Sequence, residues 1–226
     1  RHVPRIAIHP TNHNIVYAGV MGNLYKPTQE RGVYKSIDGG KTWRKTLFSN
    51  EHAGVVDLIM DPTNPRVLYA STWRINRTPY SLNSGGEGSA LWKSTDSGET
   101  WTEISTNKGF PEGTLGIIGV TVSPLNSQRI WSIIENKDNG GLYRSEDGGE
   151  TWKQMKKGLP KAFGKSGISV SRANSNRVFA VVEAEDKESG VYRSDDAGKS
   201  WKLINKDRIN VTRSWYYMEI FADPQD

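Results

Sequence analysis

Cysteine is absent from all 226 residues. Disulfides, thiolate metal sites and a cysteine nucleophile are thereby excluded. The compartment stays open, because many exported proteins also do without cysteine. No apolar run approaches the roughly 18 residues of a transmembrane helix. No block of one charge exists either. Lys+Arg number 30 against 25 Asp+Glu, a net +5 scattered along the chain. That pattern is a mixed solvated surface and not a nucleic-acid footprint. Helical periodicity is missing throughout. The sequence opens at Arg1 with no initiator Met, signal peptide or lipidation motif, so the expectation is a mature or excised piece of something longer. What is abundant is glycine, at 23 residues, and tryptophan, at 8. Both point to tight turns and large packing anchors.

An internal repeat organises the chain. Four octapeptides read Ser-x-Asp-x-Gly-x-Thr/Ser-Trp: SIDGGKTW at 36–43, STDSGETW at 94–101, SEDGGETW at 145–152 and SDDAGKSW at 194–201. Their tryptophans, Trp43, Trp101, Trp152 and Trp201, are spaced by 58, 51 and 49 residues. Each octapeptide follows an aromatic arm: GVYKS, ALWKS, GLYRS and GVYRS. Further upstream, apolar residues alternate with period two around a Pro/Asn turn, as in RIAIHPTNHNIVYA (5–18) and VVDLIMDPTNPRVLYA (55–70). In the fourth copy the turn has no proline, Arg172-Ala173 standing where the first copy has Pro10-Thr11. Period-two alternation predicts strands with one buried face. Four short strands, A to D, repeated about every 50 residues, are the signature of β-propeller blades, which must stack on neighbours to bury their faces. The expectation is an all-β propeller with complete blades at approximately 1–50, 51–108, 109–158 and 159–207. The start of a fifth falls at 208–226, and the whole reads as part of a larger six- to eight-bladed propeller.

The octapeptide lies between strands C and D and so reads as a hairpin turn. Its aspartates, Asp38, Asp96, Asp147 and Asp196, can accept backbone N–H bonds. Glycine permits positive φ, and the Ser and Thr hydroxyls can bond free backbone groups. Stability accounts for every part of the motif. The four octapeptides resemble the Asp-box (bacterial neuraminidase, BNR) repeat. The arms and turns are more similar to those of the xyloglucanase and sortilin-like group than to those of sialidases. The resemblance covers nearly the whole chain. It implies a propeller, usually exported, hence secreted, periplasmic or cell-surface. It does not imply one activity, because enzymes and binding proteins share the box.

Several patterns imitate sites. GGKT (39–42), FGKS (163–166) and AGKS (197–200) lack the upstream glycine of a phosphate loop. His9 and His13 flank Pro10 in a turn, and the turn at 138–141 lacks calcium-loop spacing. No metal or cofactor is expected. Asn76-Arg77-Thr78 and Asn210-Val211-Thr212 fit the glycosylation acceptor, a pattern common by chance.

Function is expected on the B–C connections, because long loops carry sites. The longest are 19–31 and 71–89. The second offers Trp73, Arg74, Arg77 and Tyr80, a mixture suited to a sugar face or an anionic group. The segment 213–221 adds Arg213, Trp215 and Tyr216 as a possible stacking platform. Strand B ends at Met21, Trp73, Glu135 and Glu183 in successive blades. Glu135 and Glu183, with Asp57 on an inner strand, are the candidate carboxylates for glycoside hydrolysis, which needs two of them about 5–9.5 Å apart. Xyloglucanase-like enzymes use paired aspartates, and neither is matched to a position here. The arginines and tyrosine do not reproduce a sialidase spacing. Two readings compete. One is an exported scaffold that grips a glycan or peptide ligand through its loop-rich face. The other is a glycoside hydrolase of xyloglucanase-like or sialidase-like type. Expected partners are that ligand and the remaining blades of a longer chain, with no nucleic acid and no membrane span.

Overall fold

The computed structural model describes residues 2–212 and 218–225. The described residues form four antiparallel meanders joined in chain order. The first blade holds β1 (Arg5–Ile8), β2 (Val16–Val20), β3 (Gly32–Ser36) and β4 (Arg44–Leu47). The second holds β5 (Ala53–Met60), β6 (Leu68–Arg77), β7 (Leu82–Ser84), β8 (Ala90–Ser94) and β9 (Thr102–Glu103). The third holds β10 (Leu115–Val122), β11 (Ile130–Asn136), β12 (Gly141–Ser145) and β13 (Lys153–Met155). The fourth holds β14 (Ser166–Val170), β15 (Val178–Val182), β16 (Gly190–Ser194) and β17 (Lys202–Asn205). The only helical pieces among the described residues are two short 3-10 turns, Asp186–Glu188 and Arg208–Val211.

Two compact units divide the chain. The first comprises Arg1–Thr106 with Gly113–Ile118, and the second Asn107–Glu112 with Gly119–Asp226. One core of the first unit gathers Tyr17, Val33, Leu47, Val55, Leu58, Leu68 and Ala70, with Trp101 against it. A core of the second gathers Trp131, Ile133, Leu142 and Met155 with Val178, Val182, Tyr192 and Trp201.

The A–B turns are built alike in all four blades. An asparagine side chain accepts the amide two residues on: Asn12 from Asn14, Asn64 from Arg66, Asn126 from Gln128 and Asn174 from Asn176, at 3.0–3.2 Å. Its carbonyl accepts from the residue after that, Ile15, Val67, Arg129 and Arg177. The fourth turn closes in the same way although, aligned on Asn174, Arg172 rather than Ala173 stands in place of the proline. The asparagine, not the proline, is therefore the common closing element.

The box closes the C–D turn by four repeated bonds. The serine hydroxyl donates to the aspartate (Ser194 to Asp196, 2.7 Å) and accepts from the glycine amide (Gly198, 2.8 Å). The aspartate accepts the Thr/Ser amide through one oxygen and its hydroxyl through the other, as from Ser200 at 2.9 and 2.5 Å. Asp38, Asp96 and Asp147 repeat the pattern. Two consecutive residues adopt positive φ, even where the first is not glycine: Ser97 at 65° and Ala197 at 60°. Their amides dock on the A–B turn, Ser97 on the Arg66 carbonyl and Ala197 on that of Asn176, both at 2.8 Å.

That left-handed turn aims a carbonyl at the preceding blade. In the first unit, Tyr17 Oη and Lys35 Nζ both donate to the Ser97 carbonyl at 2.8 Å. In the second, Trp131 Nε1 (3.1 Å) and Arg144 Nη1 (2.7 Å) both donate to the Ala197 carbonyl. The strand-B aromatic and the strand-C cation of the GVYKS-type arms thus form an inter-blade clasp. The box staples its own hairpin and also presents the acceptor for the neighbour's clasp. The tryptophans follow this geometry. Trp201 is buried in the core shared by the third and fourth blades, and Trp101 donates to Thr46 of the first blade at 3.3 Å. Trp43, on the first blade, stays 42% exposed.

Two differences from the sequence reading stand out. The supposed loop 71–89 is largely strand. β6 continues to Arg77 and pairs back with β7, Ile75 opposite Ser84 and Arg77 opposite Leu82. In β5 the register shifts between Val55 and Asp57, a bulge that period-two reading does not see.

Candidate functional site

Antiparallel meanders put the A–B and C–D turns at one end of each sheet and the B–C and D–A connections at the other. The first end is filled by boxes and asparagine turns. Their aspartates are committed to the turn. Burial alone would raise Asp196, but bonds from the Ser200 hydroxyl and amide, from Ser194 and from the Lys199 amide outweigh it and bring the carboxyl to about 2. Asp38 and Asp96 are also held below the usual range, chiefly by bonds from Thr42 and Thr100.

In the first unit, the bulge turns Val56 into a small core with Trp73 and Ile75, while Asp57 accepts from Arg5 Nε at 3.0 Å across two inner strands. Trp73 is 8% exposed, and its Nε1 donates to Ser84 Oγ at 2.9 Å. It therefore anchors the β6–β7 hairpin onto the blade. Arg74 lies over that hairpin's base and donates to the Gly85 carbonyl. Arg77 donates its amide to the Leu24 carbonyl at 3.0 Å. Tyr80 stands at the hairpin tip, fully open to solvent.

In the second unit, Glu135 closes β11 and Glu183 follows β15. Lys165, just before β14, lies within the charge field of both and of Glu219. Burial is the larger influence and lowers its ammonium, with Glu219, Glu135 and Glu183 pulling the other way. The backbone beside it is tightly fixed. Gly164 N donates to the Glu183 carbonyl at 2.7 Å and Glu183 N to the Lys165 carbonyl at 3.1 Å. The Glu183 carboxylate caps Lys165 N at 3.0 Å. A Cβ on Gly164 would sit 2.6 Å from Glu183 Oε2, so a side chain there would push the Glu183 carboxylate aside. The structure thus brings Glu135 and Glu183 to one lysine and adds Glu219. Sequence reasoning met Lys165 only inside FGKS, a failed phosphate loop. Nothing local marks it as the meeting point of three repeats.

Arg213, Trp215 and Tyr216 lie outside the described residues. Beyond them, Met218 is buried and Ala222 N donates to Ser169 Oγ at 3.0 Å. The segment therefore runs beside β14, with no strand assigned from 218 to 225. Among the described residues no group of three or more His, Asp or Glu is arranged to hold a metal. No described helix is long and apolar enough to cross a membrane.

Four-stranded blades, each closed by an Asp-box and clasped in pairs within each unit, define an Asp-box β-propeller of the sortilin and xyloglucanase-like group. The chain belongs to the Sortilin-Vps10 family (sortilin, neurotensin receptor 3), which matches residues 89–224, more than half its length. Among curated relatives, xyloglucanase Xgh74A of Acetivibrio thermocellus is 29% identical over 185 residues, covering 70% of this chain and 20% of that protein. A xyloglucanase of Hypocrea jecorina is 24% identical over 181 residues, covering 68% of this chain and 20% of the relative. The chain thus spans about a fifth of the length of these relatives. The solved structure of an ancestral GH74 enzyme superposes with TM-score 0.59 at 19% identity, covering 92% of this chain and 24% of that one. This likeness shows the fold.

Proposed function

We propose that this chain is part of an exported glycoside-hydrolase propeller acting on a xyloglucan-type polysaccharide, and that the loop-bearing end of its second unit supplies carboxylates to that work. The observation that carries the reading is the convergence of Glu135, Glu183 and Glu219 on Lys165. Hydrolysis of a glycosidic bond needs one carboxyl to protonate the leaving oxygen and a second to act as base or nucleophile on the opposite side. Glu135 and Glu183, equivalent positions on successive blades, are the pair we assign. Lys165 acts as a positioning residue, fixing the carboxylates by its charge. The curated relatives named as xyloglucanases align over about 70% of this chain, which supports the substrate class. The four blades, the fifth-repeat segment and the further blades of a larger propeller belong to the same proposal.

A second reading, a binding module without catalysis, is favoured by how firmly two candidates are already engaged: Asp57 by Arg5 and Glu183 by the Lys165 amide. Release of reducing ends from xyloglucan separates the two. Loss of activity in Glu135→Gln and Glu183→Gln, with binding retained, supports the hydrolase. Binding without any hydrolysis in the unaltered polypeptide supports the module.

A further inference from the structure

Two turns of the second unit are built alike. In 107–110 and 156–159 the amide of the fourth residue closes on the carbonyl of the first, Phe110 N on Asn107 at 3.1 Å and Leu159 N on Lys156 at 3.2 Å. The third residue is a glycine in the left-handed region, Gly109 at φ 85° and Gly158 at φ 82°. The second is a lysine, and its carbonyl takes the amide of a box tryptophan. Trp152 N donates to Lys108 at 2.8 Å and Trp201 N to Lys157 at 2.9 Å. The approach is so close that a Cβ on either glycine would lie 2.0 Å from the tryptophan's carbonyl oxygen. Bond and close contact together fix the register of each turn against its outer strand.

That register gathers charge. The residue after each of these tryptophans is also a lysine. Lys108 is thereby set beside Lys153 at the start of β13, and Lys157 beside Lys202 at the start of β17. Segments bonded in this way run about 5 Å apart. Lys156 adjoins Lys157, three residues of chain beyond Lys153. The five form a row from the outer edge of the third blade to that of the fourth. All five are exposed, and among the described residues none of their ammonium groups is paired with a carboxylate. Glu150 is the only acid within three residues of any of them in the sequence. The first unit has no such row: Thr102 follows Trp101, and Arg44, after Trp43, is paired with Glu99. Like charges held side by side repel, and these lysines add nothing to the core. A polyanion laid along the row removes the repulsion.

We propose that Lys108, Lys153, Lys156, Lys157 and Lys202 form a docking ridge for a linear acidic polysaccharide, one that bears carboxylates along its chain. The ridge goes beyond the hydrolase reading and shares no residue with the Glu135–Glu183 cluster. Lysine meets an anion as a point charge, without the planar fork by which arginine reads a single oxyanion. A row of such points suits a repeating polyanion. A protein partner would instead need an apolar centre in its contact surface. Among the described residues from 126 to 202 no large hydrophobic side chain is exposed, and Leu203 and Ile204 lie beyond the end of the row.

The test is calorimetric titration with polygalacturonate of the unaltered polypeptide and two triple variants of equal net charge. One carries Lys153→Gln, Lys157→Gln and Lys202→Gln. The control carries Lys26→Gln, Lys41→Gln and Lys137→Gln, exposed lysines outside the row. The row variant is expected to bind about tenfold more weakly, the control as tightly as the unaltered chain, whose own affinity falls about tenfold between about 50 and 200 mM salt. Unfolding midpoints are unchanged, since the substituted side chains are exposed. Equal weakening in both variants overturns the ridge and leaves net charge alone, as does an unaltered chain that binds no polygalacturonate. Tighter binding of polyglutamate through the same lysines assigns the ridge to an acidic peptide and overturns the polysaccharide. Xyloglucan hydrolysis is expected to be the same in the row variant, so failure of the ridge leaves the hydrolase reading standing.

Discussion

Replacing Gly198 by alanine tests the inter-blade clasp directly. Gly198 sits at φ 85°, and its added Cβ would lie 2.6 Å from Trp131 Nε1 and 3.1 Å from Cδ1. Trp131 is completely buried and donates to the adjoining Ala197 carbonyl. Three costs therefore combine. A left-handed backbone with a Cβ costs about 1–2 kcal/mol. Displacing a buried ring costs about 1–3 kcal/mol. Stretching the Trp131 bond forfeits up to about 1 kcal/mol. Roughly 2–6 kcal/mol is expected, a large share of the ~5–15 kcal/mol that holds a domain folded. Gly40 is the internal control. Its φ is 88°, but a Cβ there would meet only its own box tryptophan, Trp43 Cζ2, at 3.4 Å. Gly40→Ala should cost only the backbone share, about 1–2 kcal/mol. Urea unfolding followed by tryptophan fluorescence reads both. If the two substitutions shift the midpoint equally, the clasp contributes nothing and the box is a staple of its own hairpin alone.

Other outcomes follow from the same geometry. Tyr17→Phe removes one donor from the Ser97 carbonyl while Lys35 remains, so a loss of about 0.5–1.5 kcal/mol is expected in the same urea experiment. Trp73→Ala should destabilise by about 3–5 kcal/mol through the emptied core; a stable variant with weakened glycan binding would contradict its role as hairpin anchor. The pH dependence has a definite sign. The box carboxyls are depressed in the folded state, so their contribution is complete above their unfolded value near pH 4 and is lost as pH falls toward the folded one, about 2 for Asp196. Melting temperature should therefore decline only below about pH 4, and Asp196→Asn should flatten that limb. An acid limb unchanged in the variant would contradict it.

Much of the fold was legible because it repeats. Strand alternation and the fixed Ser-x-Asp-x-Gly-x-Thr/Ser-Trp spacing are local signals, and four copies reinforce each other. The clasp was half visible. Tyr17 and the Lys35 of GVYKS, and Trp131 and the Arg144 of GLYRS, are plain in the sequence, but their shared acceptors belong to the next repeat. The β6–β7 hairpin was missed because Asn, Arg, Ser and Gly read as loop, while pairing is decided by how Trp73 and Ser84 meet. The same contact explains why an aromatic at the end of a strand, read as a ligand surface, became a buried anchor. Lys165 shows the limit most clearly. A lysine between glycine and serine has no local mark, and only folding sets it among glutamates from three repeats.

The most direct measurement of the account is the rate of xyloglucan hydrolysis by the polypeptide carrying Glu183→Gln, which keeps an oxygen for the Lys165 amide and so preserves the loop. A rate lowered by about 10²-fold or more, the usual contribution of a positioned acid or base, with an unchanged unfolding midpoint, is the predicted result. An unaltered rate would remove this cluster from the chemistry and contradict the central claim that the boxes build the blades while the opposite loop end does the work.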